Sequence, residues 1–301
     1  MDDIATGMTD PAALAALAGV EFCKMTGTGN DFILIDNRRA RLAPALMPAL
    51  AKALCCRRRS VGADGLIVLS PSQRVDAALG KIDFRWDFFN ADGSSAEMCG
   101  NGGRCAARFA VSIGLAGPEL IFDTLAGPIR AWVGRQTVTL ELTPPTGWYD
   151  DLRLEIGGRT MTIHGVNTGV PHAVVPVDDL SSADVKNWGR EIRFHRHFAP
   201  AGTNVNFIAA RHGRLEVRTY ERGVEDETLA CGTGAVASAL MAGRLGWLKS
   251  PITVAVRSGE KLTIHFSQDE SGVRQVRLEG AADHVYDGVL GAGAFAWLAN
   301  Q

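Results

Sequence analysis

The stretch Cys99-Gly-Asn-Gly-Gly-Arg-Cys105 decides the fold, because a second stretch, Ala230-Cys-Gly-Thr-Gly234, repeats its plan. In both stretches a cysteine precedes Gly-x-Gly, and an apolar run with helical spacing follows. The glycines permit a tight turn, and the first N–H groups of a helix have no partner within it. We therefore predict that Cys99 and Cys231 each stand at the start of a helix.

Each predicted helix follows a strand and a polar loop. Apolar and polar residues alternate over residues 82–89 and again over residues 215–220, as they do in half-buried strands. The two cysteines lie 132 residues apart, which is about one domain length, so we expect two similar domains. A weaker likeness joins Gly27-Thr-Gly-Asn-Asp-Phe32 to Gly202-Thr-Asn-Val-Asn-Phe207, and Pro144-Pro145 suits a connector.

Composition limits the function classes. The 301 residues allow two domains or one large α/β unit, and a net charge of −2 argues against nucleic acid as the main partner. The acidic start lacks the basic segment of a secretory signal. No apolar run approaches the roughly 18 residues that span a membrane. These features predict a cytoplasmic protein without a membrane partner.

The six cysteines do not suggest a disulfide framework in a chain of this length without a signal. No Cys-x-x-Cys pair is present, and no histidine lies at zinc-ligand spacing from a cysteine, so we expect no metal site. Outside the two glycine turns, we expect cysteines that are buried or chemically indifferent: Cys23, Cys55, Cys56 and Cys105.

The two helix starts suit acid–base chemistry at carbon. Helix N-termini favour negative charge and can lower a cysteine pKa, and the thiolate is the reactive form. One such cysteine fits a nucleophile, whereas two fit the inversion of a stereocentre, which needs a base on one face and an acid on the other. Free N–H groups at the helix starts can hold a substrate carboxylate. His172 and Glu221 are candidates to assist the thiols, because polar residues at strand ends often serve sites.

Together these motifs resemble the diaminopimelate epimerase family, and the resemblance runs from about residue 22 to the end of the chain. It is carried by Gly27-Thr-Gly-Asn-Asp-Phe32, Asn90-Ala-Asp-Gly93, Cys99-Gly-Asn-Gly-Gly-Arg-Cys105, Pro171-His172, Gly202-Thr-Asn204, Glu221-Arg222-Gly223 and Ala230-Cys-Gly-Thr-Gly234.

The resemblance implies an α+β fold of two pseudo-symmetric domains, each a curled, barrel-like mixed β-sheet around a central helix, with the active site in the interdomain cleft. The expected division is an N-terminal extension over residues 1–21, a first epimerase domain over 22–144 completed by 288–301, and a second over 145–287. A homodimer is a further expectation.

The implied activity is the interconversion of LL- and meso-diaminopimelate, a small amino-acid substrate of lysine and peptidoglycan precursor biosynthesis, without pyridoxal phosphate or another cofactor. Cys99 and Cys231 match the acid/base pair of the family, and His172 and Glu221 match residues that assist proton transfer. The positions that match substrate-binding residues are Asn30, Asn90, Gly100, Asn101, Asn204, Glu221, Arg222, Gly232 and Thr233.

Two departures from the family pattern concern substrate contacts. Val170 stands where a common version of the motif has an asparagine, and Gly65 stands where some members carry glutamine. Asn167 lies close to Val170 in the sequence, but the resemblance assigns it no role.

Three other functions remain open at this stage. Another two-cysteine racemase or epimerase, of the proline or hydroxyproline type, would use the same chemistry, although Arg222 and the asparagines favour a substrate with two amino-acid ends. A Cys-His hydrolase or transferase would need only one of the two thiols, together with His172. A catalytically silent amino-acid binder would bind without exchanging the α-proton.

Overall fold

The computed structural model describes residues 11–269 and 272–300. Two compact units are present: the first runs up to Val133 and resumes at Ala282, and the second spans Gly134–Ala281. Residues 1–10 of the predicted extension lie outside the described residues, and a short helix, α1 (Pro11–Ala15), follows them. In the described part of the chain, no helix is long and apolar enough to cross a membrane.

The first unit combines a mixed sheet, a small ribbon and helices. After α1 its elements are β1 (Glu21–Gly27), β2 (Asn30–Asp36), α2 (Asn37–Ala40), a 3-10 turn (Pro44–Leu46), α3 (Met47–Leu54), β3 (Gly65–Pro71), the ribbon β4 (Val75–Asp76) and β5 (Gly80–Lys81), β6 (Phe84–Asn90), α4 (Gly100–Ser112), β7 (Glu119–Thr124) and β8 (Gly127–Val133).

The second unit is built from the elements that follow. They are β9 (Thr137–Glu141), β10 (Thr146–Ile156), β11 (Arg159–Asn167), β12 (Pro171–Pro176), α5 (Val185–Arg193), a 3-10 turn (Arg196–Phe198), β13 (Asn204–Arg211), β14 (Arg214–Glu221), β15 (Asp226–Thr228), α6 (Gly232–Arg244), β16 (Ile252–Ala255), β17 (Lys261–Asp269) and β18 (Gly272–Ala281). The chain then returns to the first unit with β19 (Asp283–Val289) and a 3-10 turn (Ala296–Asn300).

Both units repeat one strand pattern. In the first, β1, β2, β3, β6, β7 and β8 are neighbours in that order, and their pairings alternate between antiparallel and parallel. In the second, β11, β12, β13, β14, β16 and β17 follow the same order and the same alternation. The sequence-based expectation of two similar α+β halves is confirmed.

Each sheet curls around one helix. Helix α4 packs against β1, β2, β3 and β8 of its own unit, and α6 packs against the strands from β11 to β14 and against β16 and β17 of its unit. Their buried faces carry small residues, among them Ala106 and Ala110 on α4 and Ala235 and Ala239 on α6. Small side chains let strands approach a helix from several sides, as expected for an enclosed helix.

The unit boundary does not coincide with the proline pair. β9, which precedes Pro144-Pro145, pairs with β18 of the second unit, from Glu141 opposite Arg277 to Thr137 opposite Ala281. The units change at residues 133/134 and 281/282, whereas the domain division drawn from the sequence changes at 144/145 and 287/288. That division remains a prediction about the functional domains.

Candidate active site

Cys99 is the N-cap of α4, and it is half-buried. Its backbone is extended, with φ −143° and ψ 117°, and its Sγ accepts a hydrogen bond of 3.4 Å from the N–H of Gly102. The thiol therefore takes the capping role that Ser, Thr, Asn or Asp usually fill. Gly100 and Asn101 form the first turn beside it, so three of the predicted site residues lie at one helix start.

A network of polar side chains supports this turn. Asn101 Nδ2 donates to Asn30 Oδ1 at 2.5 Å, and Asn30 Nδ2 donates to Asp64 Oδ2 at 3.0 Å. Arg104 is fully buried, and its guanidinium donates to Asn101 Oδ1 at 3.0 Å, to Thr28 Oγ1 at 2.5 Å and to Gly100 O at 3.1 Å. The arginine fixes both Asn101 and the loop before Asn30.

Asn90 lies at the end of β6 and is exposed. Its Nδ2 donates to Ser94 Oγ at 3.0 Å, and its backbone N–H donates to Ser94 O at 2.8 Å. Across β3 and β6, Asn90 is directly opposite Gly65. A Cβ on Gly65 would lie 2.6 Å from Phe88 Cε2 and 2.8 Å from Phe89 O, so this strand has no room for a longer side chain without a shift of backbone.

Cys231 is the N-cap of α6 and is buried, with φ −125° and ψ 112°. Its Sγ lies 3.5 Å from Thr233 Oγ1. Thr168 Oγ1 donates to Thr233 O at 3.1 Å, which ties the turn between β11 and β12 to the helix start. Gly232 and Thr233 thus stand beside Cys231 as Gly100 and Asn101 stand beside Cys99.

A second group of predicted site residues gathers at the ends of β13 and β14. Asn204 Oδ1 accepts from the backbone N–H of Arg222 at 2.8 Å, and Asn204 Nδ2 donates to Pro171 O at 3.3 Å. Arg222 Nη1 donates to Ala201 O at 3.2 Å. Burial raises the pKa of Glu221, so its carboxyl group holds a proton more readily than an exposed one.

His172 is buried at the start of β12, opposite Asn204. Its Nδ1 lies 3.1 Å from Asn206 Nδ2, and Nε2 has no hydrogen-bond partner among the described residues. Burial lowers the pKa of His172 to about 3, and the positive charge of Arg222 acts in the same direction. The imidazole is therefore neutral at physiological pH.

Strand register shows which residues of the two units correspond. Phe32 opposes Gly65 across the parallel pair β2–β3, as His172 opposes Asn204 across β12–β13. His172 is thus the counterpart of Phe32, and Asn204 is the counterpart of Gly65. Counting two residues back, Val170 is the counterpart of Asn30.

This register corrects one sequence-based interpretation. The likeness between Gly27–Phe32 and Gly202–Phe207 is wrong as a structural correspondence, because Asn204 begins the strand that matches β3 rather than β2. The resemblance rested on shared Gly-Thr and Asn residues. Those residues recur at strand starts in both places, although the strands hold different positions in the sheet.

Of the remaining cysteines, Cys23, Cys55 and Cys105 are buried and Cys56 is half-buried. Burial raises the pKa of both Cys55 and Cys105 to about 12, which leaves these thiols protonated. Burial and Asp287 likewise raise the pKa of Cys23 to about 12. Potential ligand atoms of Cys23, His284 and Asp287 lie within 4.8 Å of one another, a grouping that sequence spacing could not indicate because strand pairing brings β1 and β19 together.

The family model for diaminopimelate epimerase matches residues 22–146 and 165–284. The chain belongs to the diaminopimelate epimerase family. It is 45% identical over 282 residues to the diaminopimelate epimerase of Aquifex aeolicus, covering 90% of this chain and 98% of that protein. It is 43% identical over 271 residues to the diaminopimelate epimerase of Chlorobaculum tepidum, covering 88% and 99%.

Solved structures at low identity share the fold of this family member. A phenazine biosynthesis protein of the PhzF family from Bacillus anthracis has a TM-score of 0.69 at 16% identity, covering 89% of this chain and 98% of its own. A hydroxyproline epimerase from Agrobacterium vitis has a TM-score of 0.62 at 15% identity, covering 91% and 92%. At these identities the likeness concerns the fold alone.

Sequence reasoning missed Thr28, Arg104, Thr168 and Asn206 in these networks. Arg104 lies within the quoted motif, but an arginine on a helix usually extends to solvent. Asn206 gave a usable signal, since a polar residue inside the otherwise apolar run 205–209 of β13 is unusual unless it is hydrogen-bonded.

Proposed function

We propose that this chain catalyses the interconversion of LL- and meso-diaminopimelate in lysine and peptidoglycan precursor biosynthesis. The observation that carries the proposal is the pair Cys99 and Cys231, each the N-cap of a helix enclosed by the same strand pattern. Membership of the diaminopimelate epimerase family supports this substrate over the proline-type alternatives. The proposed epimerase domains, residues 22–144 with 288–301 and residues 145–287, supply one thiol each.

The two thiols act on opposite faces of one α-carbon. One, as thiolate, removes the α-proton, and the other, as thiol, delivers a proton to the opposite face, so the configuration inverts and the roles exchange for the reverse reaction. Unpaired N–H groups at a helix start stabilise a thiolate and hold the substrate carboxylate, where charge develops in the transition state. The chemistry calls for no cofactor.

Substrate recognition is assigned to the polar groups around the two helix starts. The Arg222 guanidinium suits a carboxylate, which it can bind with two parallel hydrogen bonds. His172 and Glu221 assist proton transfer, and burial raises the pKa of Glu221, which makes its carboxyl group a better proton acceptor than an exposed one. The proposed substrate-binding residues are Asn30, Asn90, Gly100, Asn101, Asn204, Glu221, Arg222, Gly232 and Thr233.

A cytoplasmic location and a homodimer complete the proposal. All six cysteines are free thiols, and two-thiol chemistry requires a reducing compartment. Apolar side chains are exposed on β19: Val285 by 53%, Tyr286 by 42% and Val289 by 62%. Such a patch suits an interface with a second copy. Sedimentation of wild type and Val289→Asp tests it, with a dimer expected for wild type and a shift toward monomer for the variant.

The substrate is tested with purified enzyme and no added cofactor, by separating the stereoisomers after incubation. LL-diaminopimelate is expected to give meso-diaminopimelate, and the meso form to give LL, up to one common equilibrium ratio. L-Proline and trans-4-hydroxy-L-proline are expected to remain unchanged. Inversion of a proline isomer without inversion of diaminopimelate would replace this proposal with the proline-type alternative.

A further inference from the structure

Asn206 lies on β13, and its side-chain amide contacts the imidazole of His172. Asn206 and its neighbours His172 and Thr219 are all buried, with 0%, 1% and 4% of their surface exposed. Each polar atom in such surroundings needs a partner, because a buried donor or acceptor without one destabilises the fold. The partners of these three side chains therefore restrict where their protons lie.

The orientation of the Asn206 amide follows from its contacts. Nδ2 lies 3.1 Å from Ala173 O, a backbone carbonyl that can only accept, so the NH₂ end must face this side. Oδ1 lies 3.0 Å from Thr219 Oγ1 and accepts from that hydroxyl. A flipped amide would set two acceptors against each other at Ala173. The NH₂ group therefore also faces His172.

The histidine tautomer follows in turn. Asn206 Nδ2 lies 3.1 Å from His172 Nδ1 and donates to it, so Nδ1 accepts and carries no proton. A neutral imidazole with a bare Nδ1 carries its single proton on Nε2. Nε2 is the ring nitrogen that has no partner among the described residues, so its N–H is left as a buried donor.

The same amide also touches the start of α6. A Cβ placed on Gly234 would lie 2.3 Å from Asn206 Oδ1 and 3.3 Å from Cys231 Sγ. Gly234 thus packs directly between the asparagine and the catalytic thiol, and its missing side chain is what lets both approach. The hydrogen-bonded chain of His172, Asn206 and Thr219 therefore lies next to Cys231, with only Gly234 between them.

We propose that Asn206 is a positioning residue that holds His172 in the neutral Nε2–H tautomer, so that the imidazole serves the reaction as a hydrogen-bond donor to an anionic group. The inference rests on the proposed function for its kinetic consequences. It assigns His172 the role of a neutral donor, and it excludes Nε2 as the base that removes a proton. The buried Nε2–H of His172 then has a function, because it donates its hydrogen bond to an anionic group when the substrate binds.

The tautomer can be read directly in the wild-type enzyme with ¹⁵N-labelled histidine. Nuclear magnetic resonance at neutral pH is expected to show a protonated Nε2 and an unprotonated Nδ1 for His172, assigned by loss of the signals in His172→Gln. A protonated Nδ1 would overturn the inference. This measurement uses no substrate, so its result is independent of whether the proposed function is correct.

Asn206→Asp is the matching variant, because it keeps the shape but replaces the donor by an acceptor. It is expected to protonate Nδ1 of His172 and to lower kcat by about 10²-fold with KM changed less than threefold, within the range for loss of one hydrogen-bond donor to a developing negative charge. Asn187→Asp on α5, an exposed position with the same chemical change, is the control and is expected to behave as wild type.

A double variant shows whether Asn206 acts through His172. If it does, Asn206→Asp is expected to add less than a twofold loss of kcat in a His172→Gln background, because residues in one network are not additive. A further loss as large as in the wild-type background would overturn the inference. Unchanged kcat in Asn206→Asp would do the same, provided that its circular dichroism and melting temperature show a folded protein.

Discussion

The starts of α4 and α6 have the same backbone conformation, but the side chains packed against their first turns differ. Both helices are capped by a cysteine in extended conformation and contain a glycine three residues later. Five residues after the cysteine, however, α4 has the buried Arg104 and α6 has the buried Val236. The first turn of α4 is supported by a cation and that of α6 by a neutral imidazole–amide chain. The same helix-start geometry thus places Cys99 and Cys231 in two different electrostatic environments.

The difference matters because two-base inversion needs one thiolate and one thiol at a time. A nearby cation favours the thiolate, and the buried Arg104 guanidinium contacts the first turn of α4 at a position where α6 has the apolar Val236. The second difference lies in the adjoining strands, where Phe32 holds the position of His172 and Asn30 holds that of Val170. The two units therefore share a topology but differ in the side chains at equivalent positions, and the effects of substitutions at those positions should differ as well.

Oxidation should give the largest effect. Diamide takes two electrons and two protons from a pair of thiols. The proposed mechanism requires Cys99 and Cys231 to act on the same substrate carbon, and on that proposal we expect a disulfide to form between them. We expect complete loss of activity, restored by dithiothreitol, with a Cys99–Cys231 peptide in the mass spectrum. Cys56→Ser, which removes a half-buried thiol outside both helices, serves as control and should respond as wild type. Full activity with that disulfide demonstrably formed would contradict the two-thiol mechanism.

The two helix glycines should respond unequally to alanine. A Cβ on Gly234 meets Asn206 Oδ1 at 2.3 Å, and that amide is held by three hydrogen bonds, whereas a Cβ on Gly102 meets Ile67 Cδ1 at 3.2 Å. The end of an isoleucine can move by a rotamer adjustment, but the amide cannot. Overpacking costs about 1–3 kcal/mol of folding stability. Because the Asn206 amide lies beside His172 and Cys231, its displacement in Gly234→Ala should also lower kcat by about 50-fold, whereas Gly102→Ala should lose less than about threefold. Equal losses would remove the proposed asymmetry.

Stability against pH should distinguish His172 from its counterpart Phe32. The pKa of His172 is lowered to about 3 by burial, so between pH 3 and about 6.5 the unfolded state binds more protons at this residue than the folded state. The contribution of the neutral His172 to the free energy of unfolding is therefore fully present above about pH 6.5 and is lost as the pH falls toward 3. Between pH 7 and pH 5 the loss is about 2 kcal/mol.

Urea unfolding of wild type and His172→Asn at both pH values measures this contribution. The variant should be less sensitive to acid by about that amount, since its side chain does not titrate. Phe32→Leu, at the matching position of the other unit, should keep the wild-type difference between the two pH values. An equal pH dependence in wild type and His172→Asn would show that the imidazole is not buried in the neutral form.

Replacement of Arg104 should give the smallest effect and the most specific one. Arg104→Met removes the buried cation from the first turn of α4, and we expect iodoacetamide to modify Cys99 about tenfold more slowly at pH 7, because the thiolate is the reactive form and a nearby cation favours it. Val236→Ala removes only methyl groups at the matching position of α6 and should leave the modification rate of Cys231 unchanged. Unaltered reactivity of Cys99 in folded Arg104→Met would mean that the cation serves stability alone.

Local patterns predicted much of this architecture. The Cys-Gly-x-Gly turns marked both helix starts, because capping and glycine chemistry are local, and α4 and α6 begin directly after Cys99 and Cys231. Alternation predicted strands at residues 82–89 and 215–220, where β6 and β14 lie.

What the sequence could not predict depends on distant pairing. Pro144-Pro145 looked like a domain connector, yet β9 before it pairs with β18, more than 130 residues later. Arg104 has an ordinary helical context, and its burial arises only because a sheet surrounds α4. The role of Asn206 depends on His172 across a parallel strand pair, 34 residues away in sequence. These are properties of the closed sheet rather than of any local segment.

The central claim is that Cys99 and Cys231 work as one acid–base pair, and α-proton exchange in D₂O tests it most directly. Nuclear magnetic resonance would follow both LL- and meso-diaminopimelate with wild type, Cys99→Ser and Cys231→Ser. The account predicts exchange coupled to epimerisation in wild type, and a loss of epimerisation in both variants from either isomer. Epimerisation at the wild-type rate by either single variant would contradict it.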